Sequence, residues 1–250
     1  MLFDAHVHLT HKEYSSYLGY LIDSMRAMGI VACSVTVDVE TTLESFKLFD
    51  IHRDVVRQFV GIHPEAAARE DPERFKKIFG SHIQSIVGIG EIGLDGTYHV
   101  PYDRQKQIFG SMLALAESTG KPVSIHSRKA LDDVLDMLSS YKIRGVLLHW
   151  FDGNKKQLAK AMDMGLYVSY GPALVYATDK QVLLRNTERS KFLVETDGPV
   201  SYSRCFGNTP AVPTGFLVSV IASVVRTLNI PYEEITNLLE QNSKAYLGVA

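Results

Sequence analysis

Eight short apolar runs, separated by segments with helical periodicity, constrain the fold of this chain more than any other feature. The runs cover 2–8, 31–37, 58–63, 86–91, 122–126, 145–150, 166–170 and 191–195. Each is rich in β-branched or aromatic side chains and bounded by Gly, Pro, Asp or His, as buried strands are. Between them, Tyr17, Leu21 and Met25 recur at four-residue steps and Leu43, Phe46 and Phe49 at three. Ile108, Met112, Leu115 and Ala116 form one stripe and Leu131, Val134, Leu135 and Leu138 another, the spacing of helices with one buried face. Further helices are expected over 158–162, 182–184, 216–228 and 232–247, the last with Pro231 suited to its first turn. Alternation of this kind implies parallel strands joined by right-handed crossovers. Eight such units in 250 residues match a closed (β/α)8 barrel, for which about 250 residues is usual. A single α/β TIM barrel over 1–250 is therefore expected. A doubly wound dinucleotide-binding sheet is disfavoured, because the first strand–helix turn, 4–10, has no Gly-x-Gly-x-x-Gly.

The chain is 46% hydrophobic and 22% charged, with a formal charge of −2. That composition excludes a disordered or collagenous chain. It also argues against a broad basic surface, while leaving room for a local patch. No apolar run reaches the ~18 residues of a membrane span, and no basic-then-apolar leader opens the chain. Cys33 and Cys205 stand far apart, the default for reduced thiols. The expectation is a soluble, cytoplasmic protein with no membrane partner and no obligate protein partner.

The chemistry sits where the runs end. His6 and His8 close the first run, His63 the third, Glu91 the fourth, His126 the fifth and His149 the sixth, and Asp197 follows the eighth. In a barrel the carboxyl ends of the strands converge on one mouth, so residues from both ends of the chain meet there. His6 and His8 point the same way from a strand. Either alone reads as a hydrogen-bonded core histidine; with two more histidines and two carboxylates at the same mouth, the pair reads as a divalent-metal site. Glu91 stands in Gly88-Ile89-Gly90-Glu91-Ile92-Gly93-Leu94-Asp95. A buried carboxylate there calls for positive charge, from metal or from a base such as Arg128. Asp95 is either a partner of a ligand or a helix N-cap. Asp197 alone would be a turn residue before Gly198-Pro199; facing the first-strand histidines, it can hold a metal and take a proton from water. Phe151, Tyr98 and Tyr102 are aromatic candidates for stacking on a base. His11, His52, His82 and His99 carry no motif and read as surface residues or as outer partners of ligands.

Six segments in order resemble the TatD family of metal-dependent hydrolases and deoxyribonucleases, within the amidohydrolase-like barrels. They are Asp4-Ala5-His6-Val7-His8-Leu9, Gly61-Ile62-His63-Pro64, Gly90-Glu91-Ile92-Gly93-Leu94-Asp95, Pro122-Val123-Ser124-Ile125-His126-Ser127-Arg128, His149-Trp150-Phe151-Asp152-Gly153 and Glu195-Thr196-Asp197-Gly198-Pro199. The resemblance spans nearly the whole chain. It implies two divalent ions (Mg2+, Mn2+, Zn2+ or Co2+), one held by His6, His8, Glu91 and Asp197, the other by Glu91, His126 and His149. Glu91 would bridge them, and Asp197 would act as general base. It places His63 and Arg128 near the substrate phosphate, with Glu195 as an acidic partner beside them. The implied substrate is DNA, as single strands or 3′ ends, cleaved from the 3′ end. Two segments depart from the family pattern. Trp150-Phe151-Asp152-Gly153 stands where Cys-Phe-Ser-Gly is frequent, and 203–210 keeps Asn208 and Pro210 but only Arg204 of a more basic loop. The rival enzyme class is a metal-dependent amidase, lactonase or esterase. Many barrels of that broader group bridge their metals with a modified strand-four lysine, and 86–91 contains none. A non-catalytic metal-binding barrel is the rival outside enzymes.

Overall fold

The structure, a computed structural model, describes residues 1–249. Its strands are β1 (Leu2–Val7), β2 (Ile30–Val35), β3 (Val56–Val60), β4 (Ile86–Asp95), β5 (Val123–Arg128), β6 (Val146–Leu148), β7 (Tyr167–Tyr170) and β8 (Phe192–Val194). They lie side by side in chain order in one eight-stranded parallel sheet. The crossover helices are α1 (Leu18–Met28), α2 (Val39–Phe49), α3 (Pro72–Ser81), α4 (Tyr102–Thr119), α5 (Leu131–Leu138), α6 (Lys155–Asp163) and α7 (Thr178–Asn186). After β8 come α8 (Ser203–Phe206), α9 (Pro213–Leu228) and α10 (Tyr232–Leu247). This is the expected TIM barrel.

Strand residues alternate between two apolar layers. Ala32, Val60, Leu148 and Val168 pack with the helices. Val31, Cys33, Phe59, Leu147 and Leu193 form the other layer with Tyr246 of α10, whose hydroxyl donates to the Val123 carbonyl at 3.1 Å. Burial on both faces explains why the runs read as nearly continuous apolar stretches. Local signals set the helix ends. Asp38 and Thr41 form a capping box at α2, as Asn154 and Gln157 do at α6. Asp71 caps α3 and Pro72 occupies its first turn, so this helix arises in a segment whose apolar spacing alone did not single it out. Cys33 is buried on β2, Cys205 lies in α8 rather than a loop, and both thiols are free. Among the described residues, no single helix is long and apolar enough to cross a membrane.

The barrel closes between β8 and β1 through single bonds rather than a ladder. Asp197 N–H donates to the His6 carbonyl at 3.0 Å and His8 N–H to the Gly198 carbonyl at 2.9 Å. The Asp4 carboxylate accepts the Thr196 N–H at 3.0 Å and its hydroxyl at 2.6 Å. The seam thus runs through candidate metal ligands. Strand ends differ from expectation at the same places. β4 and β5 continue past Glu91 and His126, which lie inside their strands, whereas His149 and Asp197 follow the ends of β6 and β8. Register shifts between Asp4 and Val7 and between Ile89 and Ile92 straddle His6 and Glu91. Irregularities of this kind re-aim side chains next to active sites.

Candidate metal centre

The carboxyl ends of the strands open into a cavity of about 820 Å³. His8, His63, Glu91, His126, His149 and Asp197 line it, as do Tyr98, Arg128, Trp150 and Asp152. Close approach of β4 to its neighbours makes this possible. Gly93 has φ +145°, and a Cβ there would drive into the His126 carbonyl; a Cβ on Gly61 would lie 2.6 Å from the Glu91 carbonyl oxygen.

Glu91 is the centre of the cluster. Its Oε2 lies 3.6 Å from His6 Nε2 and 3.4 Å from His8 Nε2. The same two nitrogens are 3.6 and 3.5 Å from Asp197 Oδ1 and 3.4 Å from each other. Ligand atoms about 2.1 Å from a tetrahedral cation are about 3.4 Å apart, so His6 Nε2, His8 Nε2 and Asp197 Oδ1 have the spacing of a ligand shell, with Glu91 Oε2 beside both nitrogens. On the other side, Glu91 Oε1 lies 2.8 Å from His149 Nε2, 3.0 Å from His126 Nδ1 and 3.5 Å from His63 Nε2.

His6 and His126 are oriented by what their second nitrogen touches, as metal-binding histidines are. His6 Nδ1 is 2.8 Å from Ser124 Oγ. His126 Nε2 is 2.7 Å from Asp95 Oδ2. His149 Nδ1 is buried without a hydrogen-bond partner, 3.9 Å from Glu195 Oε1. His63 differs. Its Nδ1 accepts the Glu65 N–H at 3.3 Å, which leaves the ring proton on Nε2. His63 therefore presents a donor to the cavity rather than a lone pair.

The electrostatics call for cations. Burial opposes ionisation of Glu91, but His63, His149 and His126 outweigh it and hold the carboxyl well below its usual range. Asp197 is likewise buried and is lowered by His8, His149 and His6. Asp95 is held low as well, with burial outweighed by hydrogen bonds from His126 and Thr97. The imidazoles divide. Burial takes His63 down to about 3; burial, together with the His149 ring stacked 3.7 Å away, takes His6 down to about 4. His149 resists burial because Glu91 faces it, and rises to about 9. His126 is raised in the same way, its burial outweighed by Asp95 and Glu91. Protons on His126 and His149 thus supply the positive charge that Glu91 Oε1 requires, where a metal ion could supply it instead. Mixed imidazole and carboxylate donors suit several divalent metals, and the spacing of His6, His8 and Asp197 fits such an ion.

Six expected residues, His6, His8, Glu91, His126, His149 and Asp197, come together here, with His63 beside them. Arg128 lies exposed at the end of β5 and lines the cavity. It is not the partner of Glu91, whose ionic contacts are histidines. Glu195 is a correction. Expected beside the substrate, it is fully buried, and its oxygens accept the Trp150 N–H at 2.8 Å and the Ser169 hydroxyl. Burial pushes its carboxyl up to about 8, and it acts from behind His149 and Trp150. Asp95 is the partner of His126, a candidate ligand, and not a helix cap, since α4 begins only at Tyr102. Of the aromatic candidates, Tyr98 lines the cavity, Phe151 is buried, and the Tyr102 hydroxyl donates to Asp133 at 2.6 Å. His11, expected at the surface or as an outer partner of a ligand, is exposed and lines the cavity. Ser124 and Trp150 were not anticipated. For Ser124 the signal was present: two residues before His126, it shares that face of β5.

The family model for TatD-related DNases matches residues 3–248. The chain belongs to this family. Among its relatives, the uncharacterized metal-dependent hydrolase YabD of Bacillus subtilis is 28% identical, with 98% of each chain covered. The 3′-5′ ssDNA/RNA exonuclease TatD of Pantoea ananatis is 24% identical over 99% of this chain and 100% of its own length. The crystal structure of the TatD homologue YJJV from Escherichia coli superposes with a TM-score of 0.90 at 22% identity, covering 100% of this chain and 98% of that one. That likeness shows a shared fold.

Proposed function

We propose that this TatD-family barrel is a divalent-metal-dependent deoxyribonuclease that removes nucleotides from the 3′ ends of single-stranded DNA. The observation that carries the reading is the ligand-like spacing of His6, His8 and Asp197 on one side of Glu91, with His126 and His149 on the other. His6, His8, Glu91 and Asp197 would hold one cation, and Glu91, His126 and His149 a second. Divalent ions held there supply Lewis acidity, lowering the pKa of water and offsetting negative charge on the phosphoryl oxygens.

The chain's own groups do the rest. Asp197, held ionised by its histidines, accepts the proton of the attacking water. The water oxygen forms the new P–O bond, the O3′ of the upstream nucleotide departs, and a solvent proton neutralises it. His63 Nε2–H donates to a non-bridging oxygen, and Arg128 pairs with the phosphate from the rim. Asp95, Ser124 and Glu195 keep the imidazoles in place. The same reading places the enzyme in the cytoplasm, where Cys33 and Cys205 stay reduced.

A 3′-labelled single-stranded oligonucleotide, incubated with protein loaded with magnesium, manganese, cobalt or zinc, tests this. Stepwise release of mononucleotides is expected, and His126→Ala should abolish it while the fold is kept. Turnover of lactones or carboxylic esters with no nucleotide released would move the reading to the carbonyl hydrolases; no turnover of any of these substrates would point to a binding role.

A further inference from the structure

We propose that Trp150 is the stacking platform for the nucleobase beside the scissile phosphodiester, so that the enzyme selects ends bearing an accessible base over bare phosphodiesters. This rests on the phosphodiesterase reading above and adds the feature that makes the substrate a nucleotide.

Trp150 follows His149 directly and lines the same cavity as Glu91. Its backbone is in the left-handed region, with φ +41°, a costly conformation for a bulky residue and one that clusters at active sites and ligand clamps. The surroundings enforce it. Trp150 N–H donates to Glu195 Oε1 at 2.8 Å, and the next N–H, of Phe151, donates to the Ser169 carbonyl at 3.2 Å. Lys180, itself buried, donates from Nζ to the Phe151 carbonyl at 2.8 Å. The indole stacks on Tyr202, with ring centroids 5.5 Å apart and an angle of 25°. Tyr202 is fixed in turn by donating its hydroxyl to the Thr196 carbonyl at 2.9 Å. Backed on one side, half-buried and bordering the cavity, the ring is preorganised for a second planar group. Tyr202, Ala211 and Phe216 form a buried cluster on which the indole packs, so its inner side is held while it also lines the cavity.

The neighbouring strands supply the rest of a nucleotide site. β4, β5 and β6 are adjacent in the sheet, and at their ends stand Tyr98, Arg128 and Trp150, all lining the cavity. Tyr98 is braced edge-on against His63, 5.7 Å away. An exposed guanidinium between two braced aromatic rings is the composition of single-strand binding grooves, where bases stack and the backbone meets positive charge.

Trp150 is the only tryptophan in the chain, so its emission reports on this site alone. A phosphorothioate oligothymidylate, which resists cleavage, should quench it in the manganese-loaded protein; the same oligomer with abasic 3′-terminal residues should not. In turnover with the cleavable oligomers, Trp150→Ala should raise KM for oligothymidylate about tenfold or more, with kcat little changed. Its KM for the abasic oligomer should stay within about twofold of wild type, since only uniform binding to the base is lost. Trp150→Phe, which keeps a ring, should recover most of the affinity. Equal quenching by both oligomers, or an equal KM shift for both in Trp150→Ala, overturns the platform while leaving the hydrolase reading intact. If wild-type protein with magnesium or manganese turns over neither oligomer, both readings fall. Quenching in the wild-type protein separates the outcomes even if Trp150→Ala folds poorly.

Discussion

The floor of the mouth, around Glu91, and its rim, around Arg128, rise from the same strands and hold their side chains in different ways. On the floor, Glu91, His149 and Asp197 are buried, and the outer atoms of His6, His126 and His149 face Ser124, Asp95 and Glu195. On the rim, Arg128 is exposed and has no acidic partner among the described residues. Charge on the floor is balanced within the site, by imidazoles or by bound cations. Charge on the rim is left for a ligand. On the proposed function, the rigid, mutually supported groups would do the chemistry and the adaptable ones would choose what is brought to it. Damage to the floor should therefore appear in metal binding and kcat, and damage to the rim in KM and salt dependence.

The sharpest break comes from Glu91→Gln, which removes the charge shared by both halves of the cluster. Turnover on single-stranded DNA should fall on the order of 10³-fold, and bound metal, measured by elemental analysis, should fall below wild type. Retained activity would mean that the floor is not the reaction centre. Next in size is metal itself. A ligand that binds only the folded state, at about 100 times its Kd, adds about 2.7 kcal/mol, and for a chain of this size that corresponds to a rise in Tm of about 5 to 11 °C. Thermal unfolding with manganese and then with excess chelator should show the rise and its reversal. A smaller effect is expected from Asp95→Asn. His126 keeps its place but loses an ionised acceptor for its Nε2–H, so metal affinity should drop about 10- to 100-fold in a metal titration, with far less change in KM at saturating metal.

The same contrast explains what could be read from the sequence. His6, His8, Glu91, His126, His149 and Asp197 were legible because the barrel rule alone brings strand ends to one mouth, whatever their separation in the chain. No precise geometry was needed. Glu195 was misread because β8 ends at Val194 and the chain then turns, with Asp197 at φ +49°; sequence proximity to a ligand does not tell whether a side chain faces the cavity or the wall behind it. Trp150 was missed for a related reason, since a positive φ in a tryptophan leaves no mark on residue order. The donor character of His63 depends on one backbone N–H, that of Glu65, which no spacing rule encodes. Composition and order locate a floor; the rim and the tautomers come from backbone geometry.

Arg128→Ala should give the smallest effect and the cleanest test of the contrast. Arg128 touches no ligand histidine in the hydrogen-bond network of the floor, so metal content and Tm should match wild type. Its proposed partner is a phosphate in solution-exposed surroundings, where salt screens the attraction. KM for single-stranded DNA should rise no more than about fivefold, the scale of one solvent-exposed ion pair of up to about 1 kcal/mol. Because one phosphate contact is lost, the slope of log(kcat/KM) against log salt should become shallower by about 0.7. Arg128→Lys should restore most of the slope, which depends on charge, and less of the KM, because a lysine cannot make the two parallel hydrogen bonds of a guanidinium. A collapse of kcat with an unchanged salt slope would place Arg128 among the reacting groups, and the division between floor and rim would have to be redrawn through β5.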